Sequence, residues 1–416
     1  MEKIIKARVI TPIFISGSNQ KEAEMRAPSI KGVLRFWFRA GFGEFSDKMI
    51  EKEEKIFGSK EKPCVFQIRT TQLNSDTFNP PSYRGYPEIS YLLPFLKGRK
   101  VIPEKREFDI SLKFYKGAKD NDIKAVFGSL WLLFWLGAIG TRARRGFGSI
   151  LPAEDMEIEG LNFLPEEKHI NGLGKFLEEN LNKAIKIINP NNTNISKLPD
   201  YTLLSKQNTK IYLWNKRFNS WQETINKAGY LLMNWKKKQN PDYQQIKDFI
   251  RNDTQPTELN RPAFGLPIQF YYRSTEKDHL FNLIKKELRD KSNKEIKQIL
   301  SLGKRGIQNE LKILGLREDT IKNLFKKARQ LATAYVGGKR AKEGEYSRRG
   351  SPFFIKVIKL SDKNYALLFI FMKAKLFPEK IKVEKEGKVA FVNEPDFSMV
   401  EEFLEQKVKK EAFEIW

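Results

Sequence analysis

The feature of this chain that most constrains its fold is an apolar segment that runs directly into a glycine-rich loop. Residues 122–136 are so densely apolar, with two tryptophans and two phenylalanines, that they predict a helix buried over most of its surface. Residues 137–149 follow with the sequence GAIGTRARRGFGS, which contains four glycines and three arginines. Glycine permits positive φ angles and close approach of another backbone, so this loop can turn sharply in a crowded place.

The segments before and after this helix predict one compact sheet. Residues 3–15 are β-branched and alternate, and residues 63–71 and 108–115 repeat that character, so each predicts a strand. Ser29 is a suitable N-cap for a helix that continues to about Arg39. A short strand over residues 148–152 completes the order strand, helix, strand, strand, helix, strand, which is the ferredoxin-like split βαβ arrangement.

The second half of the chain predicts another sheet with many helices attached. Residues 161–255 and 278–334 are mainly helical in pattern, and residues 353–360 and 365–374 form two clear strands. A terminal helix is expected over about residues 394–410. The result is an α+β protein with a weak internal duplication.

Composition favours a polyanionic partner. The 416 residues have a formal net charge of +25 and a pI near 9.7, and such self-repulsion is tolerated where a polyanion binds. A membrane surface is the alternative, but no basic amphipathic helix with a bulky apolar face and no lipidation signal is found. With no signal peptide or membrane span in the sequence either, a cytoplasmic nucleic-acid-binding protein is expected.

The sequence gives little support for catalysis or for metal binding. The single cysteine, Cys64, excludes intrachain disulfides and a thiolate zinc cluster. The two histidines, His169 and His279, lie far apart in the sequence and in charged surroundings, so no nucleophile–base pair emerges. A lysine, tyrosine or carboxylate remains open as a general acid or base, but binding is favoured over catalysis.

The glycine-rich loop does not match the familiar nucleotide motifs. Phe147 stands where a P-loop needs lysine, and Leu151 stands where a dinucleotide fingerprint needs its third glycine. What remains is a backbone nest suited to successive phosphates of a single strand, with a solvated turn as the alternative. Its candidate RNA-binding residues are Gly140, Gly146, Gly148, Arg142, Arg144 and Arg145.

Two further segments carry candidate cations. Lys31, Arg35 and Arg39 share one side of the first predicted helix without interleaved acids, so both an anion-binding face and a solvated basic face are open. Residues 337–352 repeat the character of the glycine-rich loop and contribute Arg340, Arg348 and Arg349. Trp37 is expected in the core, whereas Phe147 is a candidate for stacking on a base.

Several motifs together resemble a known family. They are Thr11-Pro12, the segment RAPSIKGVLRFW at residues 26–37, IFGS at 56–59, the glycine-rich loop, FGLP at 264–267 and RGSP at 349–352. Jointly they resemble the RAMP superfamily of CRISPR-associated RNA-binding proteins. Within it, they are most similar to the two-domain head subunits of type III-B (Cmr) effector complexes.

The resemblance implies two ferredoxin-like (RRM-like) domains with large helical insertions, at residues 1–160 and 161–416, with the boundary somewhere between 160 and 260. It implies no cofactor, no metal and no recognised nuclease site. Its implied partners are guide and target RNA and other RAMP subunits, at the end of the complex remote from the guide 5′ tag. Relatives that process guide RNA often use a histidine after the first strand, and this chain has none there. A processing endoribonuclease and a chiefly structural subunit are the alternatives.

Overall fold

The structure is a computed structural model and describes residues 1–77, 85–93, 98–190, 198–199, 201–238, 240–266, 268–337, 350–375 and 380–416. The chain folds into two compact units, which we call unit 1 and unit 2. Unit 1 comprises Met1–Lys237, Ser351–Lys375 and Val400–Trp416, and unit 2 comprises Lys238–Gly350 and Leu376–Met399. The mixture of helices and antiparallel sheets confirms the predicted α+β class.

The elements of the first half in chain order are β1 (Glu2–Val9), α1 (Ala27–Phe42), α2 (Asp47–Phe57), β2 (Phe66–Thr70), β3 (Asp76–Thr77), α3 (Ile89–Leu92), β4 (Lys100–Val101), β5 (Glu107–Phe114), α4 (Asp120–Trp135), a 3-10 turn (Ala143–Arg145), β6 (Ile150–Pro152), β7 (Glu157–Ile158), β8 (Leu161–Asn162), α5 (Ile170–Ile188), β9 (Thr209–Trp214) and α6 (Trp221–Lys238).

The remaining elements are α7 (Asn240–Asn252), a 3-10 turn (Arg261–Phe264), β10 (Ile268–Tyr271), α8 (Arg273–Glu287), α9 (Asn293–Ser301), α10 (Lys304–Ile313), α11 (Glu318–Leu331), β11 (Thr333–Val336), β12 (Phe353–Ser361), β13 (Asn364–Met372), β14 (Lys380–Lys385), β15 (Lys388–Asn393), α12 (Ser398–Phe403), a π-helical turn (Leu404–Val408), a 3-10 turn (Lys409–Glu411) and β16 (Ala412–Glu414). Among the described residues, no helix is long and apolar enough to cross a membrane.

The first sheet of unit 1 has the strand order β2-β5-β1-β6, with antiparallel pairing throughout. Alternation in β5 sends Phe108, Ile110 and Leu112 inward, as the sequence pattern predicts. The predicted apolar helix is α4, whose last eleven residues are all buried. It packs against α1 and α5, and this explains why its apolar character extends around the helix.

The second sheet of unit 1 repeats this plan with the order β12-β13-β9-β16. In each sheet the third strand in the chain pairs with the first, and the second strand pairs with the third at the edge of the sheet. The fourth strand pairs with the first on its other side. Helix α6 follows the first strand and α12 follows the third, as in a split βαβ unit. Most of unit 2 is inserted between α6 and β12, and a shorter part lies between β13 and α12.

Unit 2 has its own sheet, in the order β10-β11-β14-β15, and a separate helical core. Helices α8 to α11 enclose an apolar cluster that includes Ile284, Ile296, Leu311 and Ile321. Ser292 and Glu295 form a capping box that begins α9, so local signals define the helix starts here.

Several sequence-based boundaries differ from the structure. Helix α1 begins at Ala27 rather than at Ser29, since Pro28 in its first turn needs no backbone N–H partner there. The expected terminal helix is divided into α12, a π-helical turn and a 3-10 turn. The domain boundary expected between residues 160 and 260 stays a prediction.

The glycine-rich loop is held tightly against the segment that follows β1. The Gly148 amide donates to the Pro12 carbonyl at 3.0 Å, and the Ile139 amide donates to the Gly148 carbonyl at 2.9 Å. A Cβ on Gly148, where φ is 72°, would collide with the Ile139 carbonyl. Gly148 is therefore required both by its conformation and by the close approach of backbone.

We expect Gly148→Ala to lower the melting temperature of the protein more than Gly160→Ala does. Gly160 has φ of 75° but open space around it, so its variant carries only left-handed strain of roughly 1–2 kcal/mol. Collision with Ile139 adds about 1–3 kcal/mol of overpacking at Gly148. Thermal unfolding followed by circular dichroism measures both, and equal shifts would contradict the packing described here.

Candidate nucleic-acid interface

The basic side of α1 meets a carboxylate from α2. Arg39 makes a two-pronged contact with Glu53, in which Nη2 donates to Oε1 at 2.8 Å, and Arg35 forms a second ion pair with Glu53. Arg35 also donates to the Gly58 carbonyl at 2.7 Å. These two arginines therefore connect α1 to α2 and to the end of α2.

The remaining contacts on this side of α1 are also internal. Lys31 lies 5.5 Å from the centre of the Phe66 ring, and Arg39 donates to the Tyr201 hydroxyl at 3.1 Å. Burial acts to lower the pKa of Arg39, but Glu53 and Tyr201 outweigh it and raise the pKa. Helix α1 itself contains no acidic residue, and Glu53 lies on another helix. The sequence pattern of α1 therefore could not predict that Glu53 pairs with Arg35 and Arg39.

The three arginines of the glycine-rich loop have different surroundings. Arg144 donates to the Ser351 carbonyl, and its guanidinium lies 4.5 Å from the Phe354 ring and 5.3 Å from the Phe36 ring. Such stacking of a guanidinium on aromatic rings is a packing contact as much as a charge contact. Arg144 therefore joins the loop to β12 and α1.

Phe147 does not have the predicted role. It is fully buried, with edge contacts to Phe14 and Trp221 at ring-centre distances of 5.6 and 5.9 Å. The prediction that it stacks on a base is therefore wrong, because no base can reach it without unfolding the loop. Trp37 is buried, as expected.

The main role of the loop glycines is to let neighbouring backbone segments pack closely against the loop. Gly146 is buried against Ile225 and Ile355, and its carbonyl accepts the Thr11 hydroxyl at 2.9 Å. Gly140 has φ of 88° and lies close to the Phe14 carbonyl. The amide of Gly148 is already donated to Pro12, so it serves the fold and not the phosphate contact suggested by the sequence.

Arg142 and Arg145 lie together with an arginine from another loop. The positive charge of Arg99 acts on Arg142, and that of Arg142 acts on Arg145. Burial is the main reason that the pKa values of Arg142 and Arg145 are lowered, and the neighbouring cations add to it. We call Arg99, Arg142 and Arg145 the arginine cluster.

The backbone of Arg142 supports a role for its side chain. Its φ is 71°, in the left-handed region that costs a residue other than glycine roughly 1–2 kcal/mol. Such conformations concentrate at functional sites. Tyr91 lies beside Arg145, and the Lys236 ammonium is 6.0 Å from the centre of the Tyr91 ring.

The sequence pattern did not predict that Arg99, Tyr91 and Lys236 lie near the glycine-rich loop. Arg99 stands some forty residues before the glycine-rich loop, and nothing local in the sequence connects the two. Arg340, Arg348 and Arg349 lie outside the described residues. Among the residues that are described, no group of three or more His, Cys, Asp or Glu side chains is arranged to hold a metal ion.

Comparisons with known proteins agree with this architecture. A model of the RAMP superfamily matches residues 6–150. Two Pyrococcus furiosus proteins, CRISPR system Cmr subunits Cmr1-1 and Cmr1-2, are each 30% identical to this chain. The first match covers 61% of this chain and 73% of that protein, and the second covers 36% and 94%.

Solved structures show the same fold. The crystal structure of apo Cmr1 from Pyrococcus furiosus aligns over 100% of this chain and 99% of its own, with a TM-score of 0.56 and 18% identity. A chain of a type III-B Cmr-beta complex, seen by cryo-electron microscopy with cognate target RNA and AMPPnP, aligns over 97% and 98% with a TM-score of 0.50 and 14% identity.

The segment matched by the RAMP model and the 30% identity to a Cmr1 protein together identify a protein of the RAMP superfamily. Its two four-stranded sheets of equal strand order lie in one compact unit. The chain belongs to the Cmr1 family of CRISPR system Cmr subunits.

We expect Glu53→Gln to lower the stability of the protein while leaving RNA affinity almost unchanged. Loss of this buried carboxylate charge leaves the partly exposed Arg35 and Arg39 repelling each other, at a cost of about 2 kcal/mol, between the values for exposed and buried pairs. Thermal unfolding and fluorescence anisotropy with labelled RNA measure the two effects.

Glu54→Gln is the matched control, because it makes the same charge change on the same helix at a more exposed ion pair with Lys62. If Glu53→Gln strengthens RNA binding several-fold more than Glu54→Gln does, the α1 arginines are RNA ligands after all, as the sequence pattern allowed.

Proposed function

We propose that this protein is a non-catalytic RNA-binding subunit of a type III-B CRISPR (Cmr) effector complex. It helps to hold guide and target RNA beside other RAMP subunits, at the end remote from the guide 5′ tag, and acts in the cytoplasm in antiviral defence. Membership of the Cmr1 family supports this proposal, as does the RNA-bound complex named for one structural relative.

The observation that carries the proposal is the arginine cluster. The charge of Arg99 acts on Arg142 and that of Arg142 acts on Arg145, on a chain that already carries a net charge of +25. Concentrated positive charge of this kind is lowered in energy by a neighbouring phosphate, and arginine presents a planar set of donors to it. The cluster therefore suits the backbone of a nucleic acid.

The mechanism follows from this chemistry. Arg142 and Arg99 neutralise phosphates and release counterions, and Arg145, deeper in the loop, adds to the same positive potential. Phosphate contacts fix the position of the strand without reading its sequence. Sequence is then read by base pairing with the guide, so the free subunit binds RNA with little sequence preference.

The variant Arg142→Gly tests the RNA-binding role of the arginine cluster. Because Arg142 has positive φ, glycine adopts the backbone conformation of this position without strain, and relief of that strain opposes any loss of stability caused by removal of the side chain. We expect RNA affinity to fall and the slope of log K against log salt to decrease by about 0.7, the value for one phosphate contact with a single strand. Fluorescence anisotropy over a salt series measures both.

Lys105→Gly is the matched control, because Lys105 is an exposed cation that also has positive φ, at 69°. It removes the same charge and relieves the same strain outside the cluster. Equal RNA affinities for the two variants would exclude Arg142 as a phosphate ligand. Adding Arg99→Gln to Arg142→Gly should deepen the loss.

The competing function is cleavage of guide RNA. Of the two histidines, His169 accepts the Gly172 amide at 3.1 Å and caps α5, and His279 lies on α8, where burial lowers its pKa. We expect labelled repeat RNA to remain intact when it is incubated with the purified protein without metal. Discrete metal-independent products would favour the endoribonuclease.

A chiefly structural subunit is the third possibility. In that case the arginine cluster is covered by a protein partner, and RNA affinity is recovered only in the assembled complex. The Arg142→Gly variant then impairs assembly and leaves RNA binding by the free subunit unchanged.

A further inference from the structure

Strand β15 forms one edge of the sheet of unit 2. The strand order β10-β11-β14-β15 places it last, so it pairs with β14 on one side and with no other described strand on its other side. The two strands form a hairpin around a two-residue turn, and Lys385 pairs with Lys388 across it. An edge strand carries a row of backbone groups with which a further strand can pair.

The register identifies the backbone groups that face the open edge. The Gly337 amide donates to the Lys382 carbonyl at 2.8 Å, so the backbone of Lys382 is directed toward β11. Hydrogen-bonding direction alternates along an antiparallel strand, and the next residue, Val383, is therefore directed toward β15, where it pairs with Ala390. The residues of β15 whose N–H and C=O groups point away from β14 are Val389, Phe391 and Asn393.

These outward groups have no hydrogen-bond partner within the described part of the chain. The side chains of Val389 and Phe391 are also uncovered, with exposed fractions of 45% and 60%, whereas those of Ala390 and Val392 between and beside them are buried. Water can satisfy exposed backbone groups, but it gives no stabilisation to an uncovered phenylalanine. The edge therefore combines unpaired backbone with apolar surface.

The other edge strands of the described sheets are better protected. Strands β6 and β16 have three residues each and β10 has four, while β12 is buried at seven of its nine residues. Strand β2 carries the exposed Arg69. Short length, coverage and charged side chains are the usual means of preventing edge pairing. Strand β15 has six residues, no proline and four consecutive apolar residues at 389–392.

The charges of this hairpin do not favour a nucleic acid. Lys385 and Lys388 both pair with Asp253, so their charges are already engaged. Glu384 and Glu386 place two carboxylates on the same hairpin. A polyanion gains affinity from cations that it can neutralise, and it is repelled by carboxylates. The balance of charge therefore favours a partner that is neutral and apolar.

We propose that the open edge of β15 pairs with an extended strand of another protein subunit, whose apolar side chains cover Val389 and Phe391. The alternating donors and acceptors along β15 match another peptide backbone. In such strand addition, main-chain hydrogen bonds give affinity, and the side chains at alternate positions give specificity. The added strand is neutral and has apolar residues at alternate positions. We call this surface the docking edge.

The identity of the partner rests on the function proposed above, since the added strand belongs to another subunit of the same Cmr complex. The kind of contact rests only on the geometry of β15. The docking edge lies wholly in unit 2, whereas the arginine cluster lies wholly in unit 1. Assembly through the one and RNA binding through the other can therefore be measured independently.

Val389→Pro in the full-length protein tests the backbone contact. Proline removes the outward N–H and places its ring at the open edge, but it removes no hydrogen bond to β14, and edge strands tolerate proline for this reason. We expect the variant to bind a complex reconstituted from the other Cmr subunits at least about 10-fold more weakly than the wild type. Biolayer interferometry measures this affinity, and circular dichroism follows the melting temperature.

Val389→Thr is the matched control, because threonine keeps the N–H and the β-branched shape of valine at the same position. We expect its affinity for the complex to stay within about 3-fold of the wild type. Phe391→Thr tests the side-chain contact in the same assay and should weaken assembly several-fold. The high exposure of Phe391 means that this variant should keep the stability of the wild type.

Hydrogen–deuterium exchange of the wild-type protein is a second measurement, and it decides the question alone if Val389→Pro unfolds. In the free subunit the outward amides of β15 should exchange rapidly. In the reconstituted complex, peptides that cover residues 388–393 should exchange at least about 10-fold more slowly, because the added strand accepts their N–H groups. Equal assembly of Val389→Pro and Val389→Thr together with unchanged exchange in β15 would overturn the proposal.

Two other occupants of the edge have distinct signatures. Protection of β15 in the free protein, with a dimer mass by light scattering, would assign the edge to a second copy of this chain. Weaker RNA binding by free Val389→Pro than by Val389→Thr would assign it to RNA. Either result contradicts pairing with another subunit.

Failure of this inference can be told apart from failure of the proposed function. If the wild-type protein enters the complex and β15 gains no protection, the docking edge fails and the proposed function stands. If the wild-type protein does not enter the complex, the proposed function fails, and the partner assigned to the docking edge fails with it.

Discussion

Unit 1 depends on a backbone contact that only glycine allows. The Ile139 carbonyl occupies the space that a Cβ on Gly148 would need, and the Gly148 amide is donated to Pro12. On the other side, the Lys356 ammonium of β12 donates to the Gly137 carbonyl at 2.6 Å and to the Ile150 carbonyl at 3.2 Å. Lys356 is fully buried where the two sheets meet, and this burial lowers its pKa well below its ordinary value. The glycine-rich loop is therefore a structural junction as well as a carrier of cations.

The elements with strong local signals could be predicted from the sequence. The alternation of β5 and the dense apolar pattern of α4 each reflect one dominant environment, so local periodicity was sufficient. The order of the second sheet was beyond such reasoning, because β9 pairs with β13 across more than 150 residues that include most of unit 2. Local patterns carry no information on which distant strands pair, and for the same reason the domain boundary remains a prediction.

The candidate site shows the same limit at the scale of single residues. Three arginines within four positions looked equivalent in the sequence, yet Arg144 packs on β12 while Arg142 joins Arg99. Arg35 and Arg39 looked like an open basic stripe until Glu53 of α2 was placed beside them. In each case the contacts of the arginine side chain depend on a neighbour from another element, and local spacing in the sequence cannot reveal that neighbour.

The conformation of Arg142 gives the strongest reason to separate its role from that of the loop around it. In a loop where Gly140, Gly146 and Gly148 already occupy the left-handed region, Arg142 also has positive φ. Glycine would adopt that conformation without strain, so the backbone conformation does not by itself explain an arginine at this position. Neighbouring Arg99 also disfavours another positive charge there. In the function that we propose, a bound phosphate offsets this repulsion, because the charges that repel one another in the free protein then attract a common anion.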